Sequence, residues 1–178
     1  YTTLFRSLFN HEYKVLKKFN LLADQVVELD EKMQQLTDVE LKAKTDEFKS
    51  RLNNGETLDD ILVEAFATVR EAASRVLNEK PYRVQVIGGI AIHYGNIAEM
   101  KTGEGKTLTT ILPAYVNSLT GEGVHVVTTN EYLSSRNAEW MRPVYDLLGV
   151  TVGVNLRAMS PKEKQDAYES IIDKLNPC

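Results

Sequence analysis

The chain has 178 residues, of which 43% are hydrophobic and 26% are charged. This length is enough for one ordinary domain with a buried core. Its 21 lysines and arginines against 25 aspartates and glutamates give a formal net charge of -4. No general positive field therefore attracts the whole molecule to nucleic acid or to anionic lipid, and any such contact must be local.

The cysteine content and the hydropathy pattern bear on the compartment. The single cysteine, Cys178, is the last residue, which excludes an internal disulfide framework and favours a reducing compartment. No apolar run approaches the ~18 residues needed to cross a bilayer, and no segment has the pattern of a signal peptide. We predict a soluble, cytosolic chain, and the start at Tyr1 rather than at methionine predicts processing or excision from something longer.

The first 78 residues are predicted to form a helical segment. Gly55 is their only glycine, and apolar residues recur in them at helical spacing. Thr37 is predicted to start one helix, in a capping box with Glu40, and Thr57 is predicted to cap the next. The apolar residues that share a helical face before Thr37 are Leu22, Val26, Leu29, Met33 and Leu36.

Strand and helix patterns alternate in residues 79–178, which hold all five prolines. The predicted strands cover residues 82–92, 97–100, 124–129 and 151–156, and the first of these is predicted by propensity alone. The third of these is expected to be buried on both faces. The predicted helices cover residues 105–119, residues 133–148 with a kink or a shortening at Pro143, and a segment opened by Ser160-Pro161-Lys162-Glu163. This alternation predicts a parallel sheet with right-handed crossovers.

A glycine-rich loop lies between the second predicted strand and the helix after it. The sequence MKTGEGKT, which starts at Met100, departs from the phosphate-loop pattern G-x-x-x-x-G-K-[ST] only at the first glycine. Backbone N–H groups and the helix dipole converge on an anion at such a place, and Gly103 and Gly105 let the chain wrap tightly around it. Lys106 is predicted to hold the β and γ phosphates and the Thr107 hydroxyl to ligate Mg²⁺. The alternative is a solvated turn.

The stretch VVELDE, residues 26–31, is a candidate for a second Mg²⁺ site. An apolar strand followed by an Asp-Glu pair holds Mg²⁺ in many ATPases, but Glu28 interrupts the apolar run here, and the residues around it fit a helical face better. We therefore predict a helix. No other Asp-Glu pair follows an apolar strand in the chain, so we predict no catalytic residue in it.

The run from Arg83 to Glu139 resembles the first nucleotide-binding domain of the SecA family, the motor ATPases of bacterial protein export. Residues 40–76 resemble the segment that precedes that domain, and the family shares the MKTGEGKT form with its nonglycine start. The likeness covers residues 10–168. It implies an α/β fold, with a helical segment in residues 1–78 and an incomplete, RecA-like and helicase-like, three-layer P-loop domain in residues 79–178.

The resemblance implies roles for particular residues. Gln85 is expected to read the adenine edge of ATP, whereas the sequence alone also allows an exposed polar residue there. Residues 83–92 are implied to be a short helix, against their propensity. Arg136 matches a motif that couples the nucleotide to motion, or it is a surface cation of its helix. The residues that match the phosphate site for ATP and Mg²⁺ are Gly103, Glu104, Gly105, Lys106 and Thr107.

The implied function is that of a whole motor, which couples ATP hydrolysis to the passage of unfolded preproteins through the SecY channel. Such a motor is cytoplasmic and associates peripherally with the inner face of the cell membrane. The basic segment FRSLFNHEYKVLKKFN, with Arg6, Lys14, Lys17 and Lys18, is expected either to contact the channel and anionic phospholipid or to pack as an ordinary helix with a solvated lysine face.

After residue 168 the sequence ESIIDKLNPC departs from what the family implies. The groups that position Mg²⁺ and water are missing, so this chain alone is expected to bind nucleotide weakly and not to hydrolyse it. An unpaired strand edge predicts a dimer or a swapped assembly. The alternative functions are a DEAD-box-like helicase fragment, which the acidic charge balance disfavours, and a noncatalytic nucleotide-binding module.

Overall fold

The computed structural model describes the backbone of residues 2–169 and 172–175 and the side chains of residues 12–169. This part of the chain is a mostly helical α/β structure with a small parallel sheet. Its helices are α1 (Thr2–Glu28), α2 (Asp30–Gln34), α3 (Asp38–Asn53), α4 (Leu58–Leu77), α5 (Arg83–His93), α6 (Lys106–Ser118), α7 (Glu131–Leu147) and α8 (Pro161–Tyr168). Its strands are β1 (Val124–Val127), β2 (Val152–Asn155) and β3 (Ile172–Leu175).

The predicted helix starts of the N-terminal part are confirmed. The Thr37 hydroxyl accepts the N–H of Glu40, whose carboxylate accepts the N–H of Thr37 in return. Thr57 and Asp60 form the same reciprocal pair at the start of α4. These boxes satisfy donors that have no acceptor within the helix. Gly55, with a φ of 99°, turns the chain between the two helices.

The stretch at residues 26–31 is helical, as predicted, and is divided by a turn at Leu29. The apolar face continues across this turn, because Val26 and Met33 on either side of it are fully buried. Asp30, the first residue of α2, is not free to bind a metal. Its carboxylate pairs with the guanidinium of Arg70 and lies 3.3 Å from the ammonium of Lys80.

Residues 83–92 form helix α5, so the strand that propensity predicted is wrong and the helix implied by the resemblance is confirmed. The reason is the close packing of α5 on α6. A Cβ at Gly88 would lie 3.1 Å from the side chain of Thr109, and one at Gly89 would lie 3.1 Å from that of Leu112. Both distances are shorter than most Cβ contacts in proteins, so glycine favours this close approach. The packing that results outweighs the local preference for a strand.

The strand predicted over residues 97–100 is not formed. The sheet of the described chain begins at Val124, so this segment has no strand beside it, and a strand requires such a partner. Ile97 is 98% exposed. The Met100 sulfur accepts a hydrogen bond from the Thr109 hydroxyl at 3.5 Å. The side chain that replaces the first glycine of the loop therefore packs against helix α6 and not within a sheet.

The described residues include a small sheet of three strands in the order β1-β3-β2. Strand β3 lies between the other two and pairs in parallel with both. Residues 172–175, which the sequence analysis placed in a divergent tail, thus supply the middle strand. Helix α7 connects β1 to β2, and helix α8 connects β2 to β3.

Two details of this sheet region differ from expectation. Strand β1 is not buried on both faces, since its residues alternate between half-buried and exposed and Val127 is 58% exposed. One face of β1 packs on α6. Helix α7 begins at Glu131 and continues through Pro143. Pro143 is exposed, so water can satisfy the carbonyl left without its N–H partner.

One hydrophobic core joins residues from both sides of position 78. Phe66 of α4, Ile90 of α5 and Leu112 of α6 are fully buried in it. A buried polar contact reinforces it, in which the Thr45 hydroxyl donates to the Leu148 carbonyl oxygen at 2.8 Å and lies 2.8 Å from the Tyr115 hydroxyl. Burial raises the pKa of Tyr115 well above its ordinary value. No described helix is long and apolar enough to cross a membrane.

The helix caps predict a pH-dependent stability. Hydrogen bonds donated by the cap residue lower the pKa values of Glu40, Asp60 and Glu163. Such carboxylates stabilise the folded state above their unfolded pKa of about 4 and lose this contribution as the pH falls through their folded pKa. We expect the melting temperature, measured by circular dichroism, to fall less between pH 5.5 and pH 3 in the variant E40Q/D60N/E163Q than in the wild type.

The matched control replaces three exposed carboxylates that accept no cap hydrogen bond, in the variant E31Q/D46N/D166N. Its melting temperature should fall with pH as the wild type does. An equal fall in all three proteins would contradict the assignment of acid sensitivity to the caps.

Candidate nucleotide-binding site

The start of α6 has the local features of an anion site. Gly103 and Gly105 have φ values of 88° and 80°, in the left-handed region that glycine adopts without strain. Helix α6 has no side-chain cap and no acidic residue in its first turn, whereas α3, α4, α7 and α8 each begin with a side-chain acceptor. The first N–H groups of a helix have no acceptor within it, so those of α6 suit an anion.

The loop before α6 is folded on itself by hydrogen bonds around Lys101. The Lys101 N–H donates to the Glu104 carboxylate at 2.6 Å. Its carbonyl oxygen accepts from the Glu104 N–H at 3.2 Å and from the Lys106 ammonium at 2.8 Å. The ammonium of Lys106, the predicted phosphate-binding lysine, is therefore hydrogen-bonded to the main chain of its own loop.

Gln85 of α5 holds this loop by a hydrogen bond to its main chain. Its side-chain NH₂ donates to the Glu104 carbonyl oxygen at 2.9 Å, and its side-chain carbonyl accepts from the Tyr82 N–H at 2.8 Å. A Cβ at Gly105 would lie 2.1 Å from the Gln85 amide nitrogen. Gln85 is only 4% exposed, so it is a buried link between the start of α5 and the loop and not the exposed polar residue that the sequence alone allows.

A cavity of about 1100 Å³ opens beside the loop. It is large enough for a ligand of nucleotide size, because small-molecule sites typically have volumes of about 300 to 1,000 Å³. Lys106 is not part of its wall. Of the predicted site residues, the wall contains Gln85, Gly103, Glu104, Gly105 and Thr107.

Helix α7 forms another part of the wall. Arg136, which the sequence analysis left as a motif residue or a surface cation, lines the cavity with Asn137 and Trp140. Sequence reasoning missed Trp140, the single tryptophan of the chain. It lies four residues after Arg136, one turn along the same helical face, and this spacing is the signal that the sequence offered.

The segment between α4 and α5 completes the wall with residues that no motif predicts. Asn78, Glu79, Lys80 and Tyr82 line the cavity. Lys80 and Arg136 bring positive charge to it, while Glu79, Glu104 and Glu139 bring negative charge. The charged side chains of the wall thus do not by themselves favour an anion. A highly charged anion is expected at the end of the cavity where the uncapped start of α6 contributes its N–H groups.

Comparison with known proteins places nearly the whole chain in one family. The chain matches the sequence model of the SecA DEAD-like domain over residues 5–173, so the match passes residue 168, where the sequence analysis expected a departure. The chain is 59% identical over 170 residues to the protein translocase subunit SecA of Nocardia farcinica, an alignment that covers 96% of this chain and 18% of that protein. It is 58% identical over 158 residues to the protein translocase subunit SecA 1 of Corynebacterium efficiens, covering 89% and 19%.

The chain thus spans about a fifth of the length of these relatives. The family match nevertheless includes nearly the whole of it, from the N-terminal helices through the loop to the sheet. On this match and this level of identity, the chain belongs to the SecA family.

Proposed function

We propose that this chain binds the triphosphate of ATP, with Mg²⁺, at the loop before α6. In the full-length motor this binding serves ATP hydrolysis coupled to the translocation of preproteins through the SecY channel. The observation that carries the proposal is the uncapped start of α6, held by two left-handed glycines at the edge of a cavity of nucleotide size. The name of the relatives, protein translocase subunit, supports the transport role.

Phosphate binding requires a rearrangement around the Lys101 carbonyl oxygen, which accepts hydrogen bonds from both the Glu104 N–H and the Lys106 ammonium. The Lys106 ammonium donates to the Lys101 carbonyl oxygen, and a γ phosphate would take the place of that carbonyl as its partner. A charged acceptor makes a stronger hydrogen bond than a neutral carbonyl, so the exchange is favourable. Thr107 lines the cavity and would offer its hydroxyl to Mg²⁺, which takes its other ligands from phosphate oxygens and water.

The proposed role of Gln85 is compatible with its buried contacts. A primary amide has two N–H donors and two lone pairs on its oxygen. One donor is used on Glu104 and one lone pair on Tyr82, so one of each remains. Adenine presents a donor and an acceptor side by side. Gln85 would therefore read the base while it holds the loop.

The finer fold assignment belongs to the same proposal. We take residues 79–178 as part of a RecA-like, helicase-like three-layer domain and residues 1–78 as a helical segment packed on it through a shared core. Turnover is assigned to the full-length motor, and this chain is assigned binding alone. A dimer formed through an exposed strand edge remains a prediction.

Peripheral membrane association is assigned to α1. Tyr13 is 67% exposed and Leu16 is 54% exposed, beside the exposed Lys14 and Lys17, which is the combination that favours an anionic interface. Lys18 instead stacks its ammonium 3.9 Å above the Tyr94 ring of α5. The side chain of Arg6 lies outside the described residues.

Titration with Mg²⁺ and a fluorescent ATP analogue tests the phosphate site. Lys106→Ala should weaken binding by about tenfold or more, because it removes a charged donor to phosphate. Lys162→Ala, which removes an exposed lysine of α8, is the matched control and should bind as the wild type does. The fluorescence of Trp140 in the cavity wall provides a second readout. Equal affinities for the two variants would contradict the proposal.

A pair of glycine substitutions tests how tightly the loop is held. Gly105→Ala and Gly103→Ala both force a left-handed φ on alanine, at a cost of roughly 1 to 2 kcal/mol. Only at Gly105 does the new Cβ overlap Gln85, since nothing lies within 4 Å of a Cβ at Gly103. The melting temperature should therefore fall further in Gly105→Ala. Equal falls would show that Gln85 does not restrain the loop.

A further inference from the structure

We propose that Arg70 is a positioning residue for the nucleotide site and acts on it through the main chain at Pro81. The proposal rests on the function proposed above. Arg70 lies on α4 and is 7% exposed, and it is not part of the cavity wall. Its influence on a nucleotide must therefore pass through other groups.

The Arg70 guanidinium joins two separate segments. Its Nε donates to the Pro81 carbonyl oxygen at 2.6 Å, and its Nη1 donates to the carboxylate of Asp30. Arginine presents its donors in a rigid plane, so one side chain fixes both partners at once. The turn between α1 and α2 is in this way connected to the segment that leads into α5.

A series of hydrogen bonds continues from Pro81 to the phosphate loop. The next residue, Tyr82, donates its N–H to Gln85, and Gln85 donates to the Glu104 carbonyl oxygen. The Gln85 amide nitrogen occupies the space that a side chain at Gly105 would fill, since a Cβ built there would lie 2.1 Å from it. A displacement of Pro81 and Tyr82 therefore changes the position of Gln85 and, with it, that of the loop.

The segment that Arg70 holds also forms part of the cavity wall. Asn78, the C-cap of α4, has a φ of 54° and turns the chain sharply into it. Lys80 lies in this segment, with its ammonium 3.3 Å from the carboxylates of both Asp30 and Glu71. When Arg70 is replaced, Asp30 keeps Lys80 as a cationic partner. We therefore expect an Arg70 variant to fold, while the Pro81 carbonyl oxygen loses its hydrogen bond from Arg70.

Arg75 provides a matched control on the same helix. It pairs with Glu71 and Asp38 and donates to the carbonyl oxygens of Met33 and Leu36. None of these partners belongs to the segment that lines the cavity. Glu71 also contacts Lys80 of that segment, and this contact does not involve Arg75. Arg75→Met should therefore lower the melting temperature without changing the affinity for nucleotide.

The test measures the affinity of the 178-residue chain for a fluorescent ATP analogue with Mg²⁺, together with melting temperatures. Arg70→Met should weaken binding about three- to tenfold, and Arg75→Met should not. Because Arg70 acts through Gln85, the double variant Arg70→Met/Gln85→Ala should bind as Gln85→Ala does. If Arg70 acted independently of Gln85, the fold-losses in affinity of the two single variants would instead multiply in the double variant.

Lys106→Ala separates the two proposals. If it weakens binding while Arg70→Met binds as the wild type does, or if the effects of Arg70→Met and Gln85→Ala multiply, the role of Arg70 is overturned and the phosphate site stands. If Lys106→Ala has no effect, both proposals fail. Should Arg70→Met not fold, Arg70→Lys keeps a charge beside Asp30 without the planar fork, and it should weaken binding in the same direction.

Discussion

The close contact of α5 with α6 is the constraint on which the candidate site depends. Because two glycines of α5 lie against α6, the start of α5 comes near enough for Gln85 to hydrogen-bond the main chain of the glycine loop. The loop then keeps its left-handed turns at Gly103 and Gly105, and α6 presents an uncapped N-terminus to the cavity. A bulkier contact between the helices would separate the loop from the side chain that fastens it.

The N-terminal helices pack directly behind the candidate nucleotide site. Helix α4 packs against α6 and against α7. Both of these helices contribute residues to the cavity wall, so α4 supports the wall from the side away from the cavity. Thr45 of α3 contacts Tyr115 of α6 and the end of α7 at Leu148. The composition changes near residue 78, but the core does not divide there. The glycine loop, for which we propose nucleotide binding, is therefore supported by helices that precede it by some tens of residues.

Features with short-range causes were predictable from the sequence. A capping box such as Thr37 with Glu40 depends on residues three apart. The tight turns at Gly103 and Gly105 likewise follow from the residue type, since glycine adopts a left-handed φ without strain. Features with long-range causes were not. The helical state of α5 depends on Gly89 meeting Leu112 on another helix, and a strand over residues 97–100 depends on a partner that the described sheet does not supply.

The central claim concerns the partner of the Lys106 ammonium when nucleotide is bound. A crystal structure of this chain with Mg²⁺ and a nonhydrolysable ATP analogue measures it directly. We expect the β and γ phosphates to lie against the N–H groups of residues 103–107, with the Lys106 ammonium moved from the Lys101 carbonyl oxygen to a phosphate oxygen. A nucleotide bound away from the loop, or bound with the ammonium still on Lys101, would contradict the account.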